Sequence, residues 1–368
     1  MHSLSDPATT TAAAAPRRLQ LRARAPLRLG LAGGGTDLAD YSETYGGVVL
    51  NATIDRYAYA HVTFVDAGEA CFRASDIGVS DRVSAGPELP LDSGLALHRA
   101  VYNRFVRDFL DDKAPSVDVS TTVDAPPGSG LGSSSALVVA LVEAYRAAFE
   151  LSLGPYDVAR LAYDIERGDL ALAGGKQDQY SAAFGGVNFM EFLPGDRVVV
   201  NPLRVSRAAL NELEAAIVIC FTGQSRRSES IIDQQLQGIR QSSSATLEGL
   251  HQLKAEAIEM KAAILAGDLA GVATVLDRSW QAKKKTAAGI SSELIDRVYA
   301  TALARGAWAG KVSGAGGGGF MMFITDPENR YRLVAAIREQ GVDANPIHFT
   351  DTGAEAWNVG RVSRTPQS

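Results

Sequence analysis

The chain has 368 residues, 46% of them hydrophobic and 21% charged, with a formal net charge of -6. That is enough apolar material for a large core spread over two domains, and mild acidity without an extended basic run argues against a nucleic-acid partner. Cys71 and Cys220 are the only cysteines, which excludes a disulfide framework, and Cys220 lies in an apolar run, residues 216–221, that suits a buried thiol.

In chain order, residues 1–24 are rich in Ala, Thr and Arg and are expected to form a flexible tail. They are too weakly hydrophobic for a signal segment, and no stretch reaches the length of a membrane span, so the expectation is a cytoplasmic protein without a membrane partner. A first glycine cluster follows at Gly33, Gly34, Gly35, Thr36 and Asp37. Asp37 there reads as the N-cap of a following helix, with Asp40 and Tyr41 one turn further on.

Val117, Val119, Thr121 and Val123 alternate as a strand does, and Leu137, Leu141 and Tyr145 recur at helical spacing. Between them stand Pro127, Gly128, Ser129, Gly130, Leu131, Gly132, Ser133, Ser134 and Ser135. A glycine-rich loop that opens a helix gathers unpaired backbone N–H groups and the positive end of the helix dipole, which suits phosphate. A serine-capped helix after a flexible turn is the plainer alternative. The P-loop lysine is missing, because Ser133 and Ser134 occupy its place, and the glycines miss the dinucleotide spacing.

Further on, residues 185–200 read as two strands around Pro194, Gly195 and Asp196, a hairpin followed by a domain boundary near residues 200–215. Residues 228–285 carry helical spacing, and a third glycine cluster with Gly314, Gly316, Gly317 and Gly318 precedes the strand-like residues 320–324. Three glycine loops at globular spacing suggest one shared site.

On these three clusters, over about residues 25–355, the chain resembles the GHMP small-molecule kinases, which include galactokinase, homoserine kinase, mevalonate kinase and phosphomevalonate kinase. The N-terminal run from Pro26 to Asp37 and residues 47–55 resemble the D-glycero-D-manno-heptose 7-phosphate kinases within it, a pattern that fucokinase domains share. The resemblance implies an α+β, two-domain architecture: an N-terminal ribosomal protein S5 domain 2-like domain at residues 25–210 and a C-terminal ferredoxin-like domain at residues 211–368. It implies ATP and a sugar phosphate as partners, with Mg2+ as cofactor, and transfer to the anomeric C1 hydroxyl on the way to nucleotide-heptose. A fucokinase or other sugar 1-kinase, and a non-catalytic sugar and ATP sensor, are the alternatives. Whether the chain forms a homodimer stays open.

Residue by residue, the resemblance makes Asp178 the catalytic base and Arg28 the cation beside it, with Lys176 as a further cation. Ser134 and Glu166 would contact the metal. Residues 127–135 would hold ATP, and Gly34, Gly35, Thr36, Asp37, Asp178, Gly314, Gly316 and Gly317 would line the sugar. A second phosphate on the sugar needs cations far from Asp178, for which Arg226, Arg278, Lys283 and Lys284 are candidates.

Overall fold

The computed structural model describes residues 20–223 and 228–359. The first part of the chain forms β1 (Gln20–Ala32), α1 (Ala39–Tyr45), β2 (Gly47–Phe64), β3 (Glu69–Ala74), β4 (Val79–Ser84), α2 (Ala96–Phe109) and β5 (Val117–Val123). Next come α3 (Ser133–Ala148), α4 (Pro155–Asp164) continuing into a π-helical turn (Ile165–Asp169), α5 (Gln177–Phe184), β6 (Val187–Leu193) and β7 (Arg197–Pro202). The remainder forms α6 (Arg207–Ala216), β8 (Ile217–Phe221), α7 (Ser228–Arg240), α8 (Ser244–Ala266), α9 (Leu269–Lys284), α10 (Glu293–Ala304), β9 (Ala307–Val312), β10 (Phe320–Thr325), α11 (Arg330–Arg338), β11 (Asp343–Pro346) and β12 (Glu355–Asn358).

Two sheets organise these elements. The first follows the order β12-β1-β2-β5-β3-β4, with β6 paired to β2 and β7 to β6; the second is antiparallel, in the order β11-β8-β10-β9. In β1 the strand period of two decides what reaches the site. Leu21, Ala23, Ala25, Leu27, Leu29 and Leu31 are buried, so the even positions, among them Arg28 and Gly30, emerge on the opposite face. Pro26, which has no N–H to donate, falls where the β1–β2 register shifts.

The glycine loop does open a helix, as the sequence suggests. Its N-cap is Gly132 in the left-handed conformation, at φ 75°, with no side-chain cap, so the serine-capped reading gives way to a glycine turn. The hairpin is also present: β6 and β7 pair antiparallel around Gly195 and Asp196, both at positive φ, as a tight right-twisted hairpin turn requires. The residues 228–285 that carry helical spacing form three helices. One break is the Ser242–Ser243 turn, and the other is Gly267 at φ 69° before the capping carboxylate of Asp268.

The second sheet contributes to two cores, again through the strand period. Ile217, Ile219, Met322 and Ile324 join the main core with α3, α8 and α9 residues, whereas Val218, Cys220, Met321 and Phe323 face α10 and α11. Cys220 is a buried free thiol, pushed up to about 12 by burial.

Two segments lie where the sequence reading did not put them. Residues 20–24, expected as tail, are strand, because Leu21 and Ala23 are buried and pair with both β2 and β12. After β11, the chain returns to the first sheet: Thr350 and Gly186 pair through their backbones, Phe349 bridges Ile54, and β12 closes the β1 edge. Gly353 passes so close to α5 that a Cβ there would stand 2.2 Å from the Ala183 carbonyl oxygen.

The loops at 126–132 and 313–319 interlock through backbone. A Cβ on Gly130 would lie 2.4 Å from the Ser313 carbonyl oxygen at φ 82°, and one on Gly319 would lie 2.4 Å from that of Ser129. Gly130→Ala should therefore destabilise the protein by about 3 kcal/mol, from left-handed strain plus a backbone clash, as read by urea unfolding. Gly68→Ala, also at positive φ but in open space, should cost about 1 kcal/mol.

Candidate active site

The glycine loops, the start of α5 and the ends of α9 and β9 surround a cavity of about 380 Å³. On one wall Arg28 reaches across from β1. Its Nε donates to Asp178 Oδ1 at 2.7 Å, and Nη2 lies 2.5 Å from the same oxygen. Nη1 donates to the Gly130 carbonyl at 2.6 Å, and Ser313 Oγ donates to that carbonyl at 3.0 Å. Asp178 stands at the second position of α5, opposite the start of α3; a Cβ on Gly132 would lie 3.4 Å from its Oδ2. Among the described residues, the hydrogen bonds and ion pair that Asp178 accepts all go to Oδ1, which leaves Oδ2 toward the cavity.

Of the central loop, Pro127, Gly128, Gly130, Gly132, Ser133, Ser134 and Ser135 line the cavity. Ser129 and Leu131 turn into the protein and are fully buried; Leu131 gives its carbonyl to the Arg28 N–H at 3.0 Å. The cavity therefore meets glycine backbone, serine hydroxyls and the open N-terminus of a 16-residue helix, a combination that attracts anions.

Glu166 sits in the π-helical turn at 1% exposure. Such turns widen a helix locally and recur at functional sites. Ser134 Oγ donates to Glu166 Oε1 at 3.2 Å, and Gln179 Nε2 donates to Oε2 at 2.5 Å and to Ser135 Oγ at 3.1 Å. A buried carboxylate beside a serine hydroxyl at the mouth of a helix N-terminus supplies hard oxygen donors. These fit a magnesium ion, which completes its octahedron with water and phosphate oxygens and needs no all-protein cage.

Asp37 is not an N-cap, since Leu38 holds that position in front of α1. Its carboxylate instead ties the first glycine loop to α5, accepting from Gln177 N, Gln177 Nε2 and Gly35 N, each at 3.1 Å. Gly34 and Gly35 line the cavity with it, while Thr36 is buried and exchanges hydrogen bonds with Val48 on β2. Asp40 and Tyr41 turn away from the cavity, to Arg240 and His251.

Several residues singled out in the sequence lie elsewhere. Lys176 points away from the cavity, under the β6–β7 hairpin, where its Nζ pairs with Asp196 and lies 3.9 Å from Glu43. It is the residue just before α5, so its side chain leaves that helix on the side opposite Asp178, and it is not placed as a catalytic cation. Gly316 and Gly317 pack on Ile290, with Gly317 N donating to its carbonyl at 2.8 Å, and only Gly314 of that trio reaches the cavity. Arg278 pairs with Glu259 on the surface and Lys284 stacks on Trp280; neither lines the cavity. Arg226 lies outside the described residues.

Lys283 alone of the phosphate candidates enters the cavity, at 4% exposure, donating to the Gly314 carbonyl. Lys311 on β9 joins it, also at 4% exposure, with Nζ 3.3 Å from the Leu31 carbonyl. Burial, and then the neighbouring Arg28, push Lys283 down to about 8 against the pull of Asp37 and Asp178. Burial, Lys283 and Arg28 push Lys311 down to about 7. Lys311 escaped the sequence reading, although a lysine inside the otherwise apolar strand Ala307–Val312 is itself a signal. Gln177 and Gln179, which flank Asp178, were also missed as holders of Asp37 and Glu166.

Residues 96–186 match the GHMP kinases N terminal domain and residues 260–343 the GHMP kinases C terminal domain. A D-glycero-alpha-D-manno-heptose 7-phosphate kinase of Campylobacter jejuni is 41% identical over 339 residues, covering 92% of this chain and 99% of that protein. A crystal structure titled as a D-glycero-D-manno-heptose 1-phosphate kinase from Bacteriodes thetaiotaomicron superposes with a TM-score of 0.79 at 40% identity, covering 93% of this chain and all of that one. The Lactococcus lactis galactokinase shares the fold alone, at a TM-score of 0.71 and 16% identity, over 92% of this chain and 95% of its own. With both halves matched and the three glycine loops gathered about one charged cavity, the chain belongs to the GHMP kinase family of two-domain, ATP-dependent phosphotransferases.

Proposed function

We propose that this kinase transfers the γ-phosphate of ATP to the C1 hydroxyl of D-glycero-D-manno-heptose 7-phosphate, giving the 1,7-bisphosphate for nucleotide-heptose synthesis. The observation that carries the chemistry is the Asp178 carboxylate, clamped on one oxygen by Arg28 and facing the start of α3 with the other. The acceptor rests on the relative named for heptose 7-phosphate, which is alike over nearly its whole length.

In this reading, glycine backbone of residues 128–132 and the first N–H groups of α3 bind the triphosphate and place its γ-phosphorus before Asp178. Asp178 Oδ2 accepts the proton of the acceptor hydroxyl as that oxygen bonds to phosphorus, and the bond from phosphorus to the β–γ bridging oxygen breaks to release ADP. An anomeric hydroxyl is more acidic than an ordinary alcohol, so a carboxylate is a sufficient base. Arg28 fixes the carboxylate and presents positive charge to the transferring group. Ser134 and Glu166 would hold the magnesium ion, which neutralises phosphate charge when bound. Asp37, with Gly34 and Gly35, borders the acceptor side and accepts from sugar hydroxyls where its lone pairs remain free.

Phosphorus NMR of the full chain with ATP, magnesium and the heptose 7-phosphate should show a new anomeric phosphate signal, with mannose, fucose and galactose reacting far less. A signal at another carbon, or a better free sugar, would overturn the acceptor assignment. Asp178→Asn keeps the Arg28 contact through its amide oxygen and should lower kcat by about 10²–10⁴-fold, while calorimetry finds ATP affinity little changed. Glu166→Gln and Ser134→Ala should each raise the magnesium concentration for half-maximal rate by about tenfold or more, and an unchanged magnesium titration would remove them from that role.

A further inference from the structure

The second half of the chain places two lysines inside the cavity wall with no anionic partner of their own. Among the described residues neither Lys283 nor Lys311 forms an ion pair; their contacts are to the backbone carbonyls of Gly314 and Leu31. Nearby carboxylates are committed elsewhere. Asp178 is held by Arg28, Asp37 by Gln177 and Gly35, and Glu256, the carboxylate that acts on Lys311, by Gln252 and Ser279. Buried charge without compensation is expensive, and it persists where a ligand supplies the counter-charge.

Position narrows the ligand. Lys311 lies against Leu31, three residues beyond Arg28 on β1, or about 10 Å along the strand. That displacement runs along β1 toward the first glycine loop. Lys283 lies within electrostatic reach of Arg28, Asp37 and Asp178. Gln235 and Ile232 of α7 close the same end of the cavity.

We propose that Lys283 and Lys311 form a buried phosphate-binding pair that takes the phosphate already present on the acceptor, at the end of the sugar opposite the reacting hydroxyl. This rests on the heptose 7-phosphate reading and adds the residues that select it over a free sugar. Two ammonium groups offer point charges to a dianion, and full burial removes the competition of water that weakens such pairs at a surface. A neutral sugar in the same place would leave both cations unpaired, so the pair selects by penalty as well as by attraction.

The test uses the full chain and the variants Lys311→Met, Lys283→Met and Lys311→Arg, with heptose 7-phosphate and unphosphorylated heptose as competing acceptors. The methionine variants should lose on the order of 100-fold in kcat/KM for the phosphorylated acceptor, chiefly through KM, and much less for the free heptose. Lys311→Arg should recover part of the loss. Without ligand and at pH 6, where Lys311 is charged, Lys311→Met should melt higher than wild type because an uncompensated buried cation has gone, an outcome that a structural role for the lysine would reverse. Equal losses on both acceptors, carried by kcat, would assign the pair to the transferring phosphoryl and overturn the proposal. If wild type phosphorylates neither heptose, the acceptor reading fails by itself. Inorganic phosphate should even then raise the melting temperature of wild type more than that of Lys311→Met, and an equal shift would overturn the pair.

Discussion

One guanidinium holds the site together. Arg28 arrives on β1, grips the carboxylate of Asp178 on α5 and binds the carbonyl of Gly130 in the central glycine loop, which Ser313 of the third loop also contacts. Four segments far apart in sequence thus meet at one planar, charged group whose fork geometry is fixed. With Arg28 at 4% exposure, these contacts are shielded from solvent competition. The Asp178 carboxylate, the central glycine loop and the third loop cannot shift independently without breaking a hydrogen bond at this group.

Around that anchor the protein carries buried polar groups that face the cavity. Glu166, Asp37, Lys283 and Lys311 are all at most 4% exposed in a cavity wall. The carboxylates are satisfied by neutral donors from Gln177, Gln179, Ser134 and backbone, which orient an anion without neutralising it. The lysines are satisfied by carbonyls, which do the same for cations. Each charge therefore stays available to a ligand while its geometry is set in advance, the arrangement that electrostatic catalysis and selective binding both require.

Much of this was legible in the sequence because it rests on local chemistry. Glycine clusters announce loops, the alternation of Val117, Val119, Thr121 and Val123 marks the strand before the central loop, and Pro194, Gly195 and Asp196 spell a hairpin. What escaped depends on distant partners. Lys176 and Lys283 look alike as sequence, yet Asp196 in the hairpin turn captures one and the cavity receives the other. Asp37 suits an N-cap by spacing, but Gln177, 140 residues later, takes its carboxylate. Lys311 was hidden by the glycines that follow it, and the strand at residues 355–358 by its return to a sheet begun more than three hundred residues earlier.

That returning segment ties the helix bearing Asp178 to a stretch more than 160 residues further along the chain. The backbone at 350–353 runs beneath the end of α5, bonding Gly186 and pressing Gly353 against Ala183, before β12 covers the exposed edge of β1. Until it docks, β1 presents an unpaired edge and the helix bearing Asp178 lacks its floor. Because β12 follows the strands of the second sheet in the chain, the first sheet is complete only once both sheets have been made.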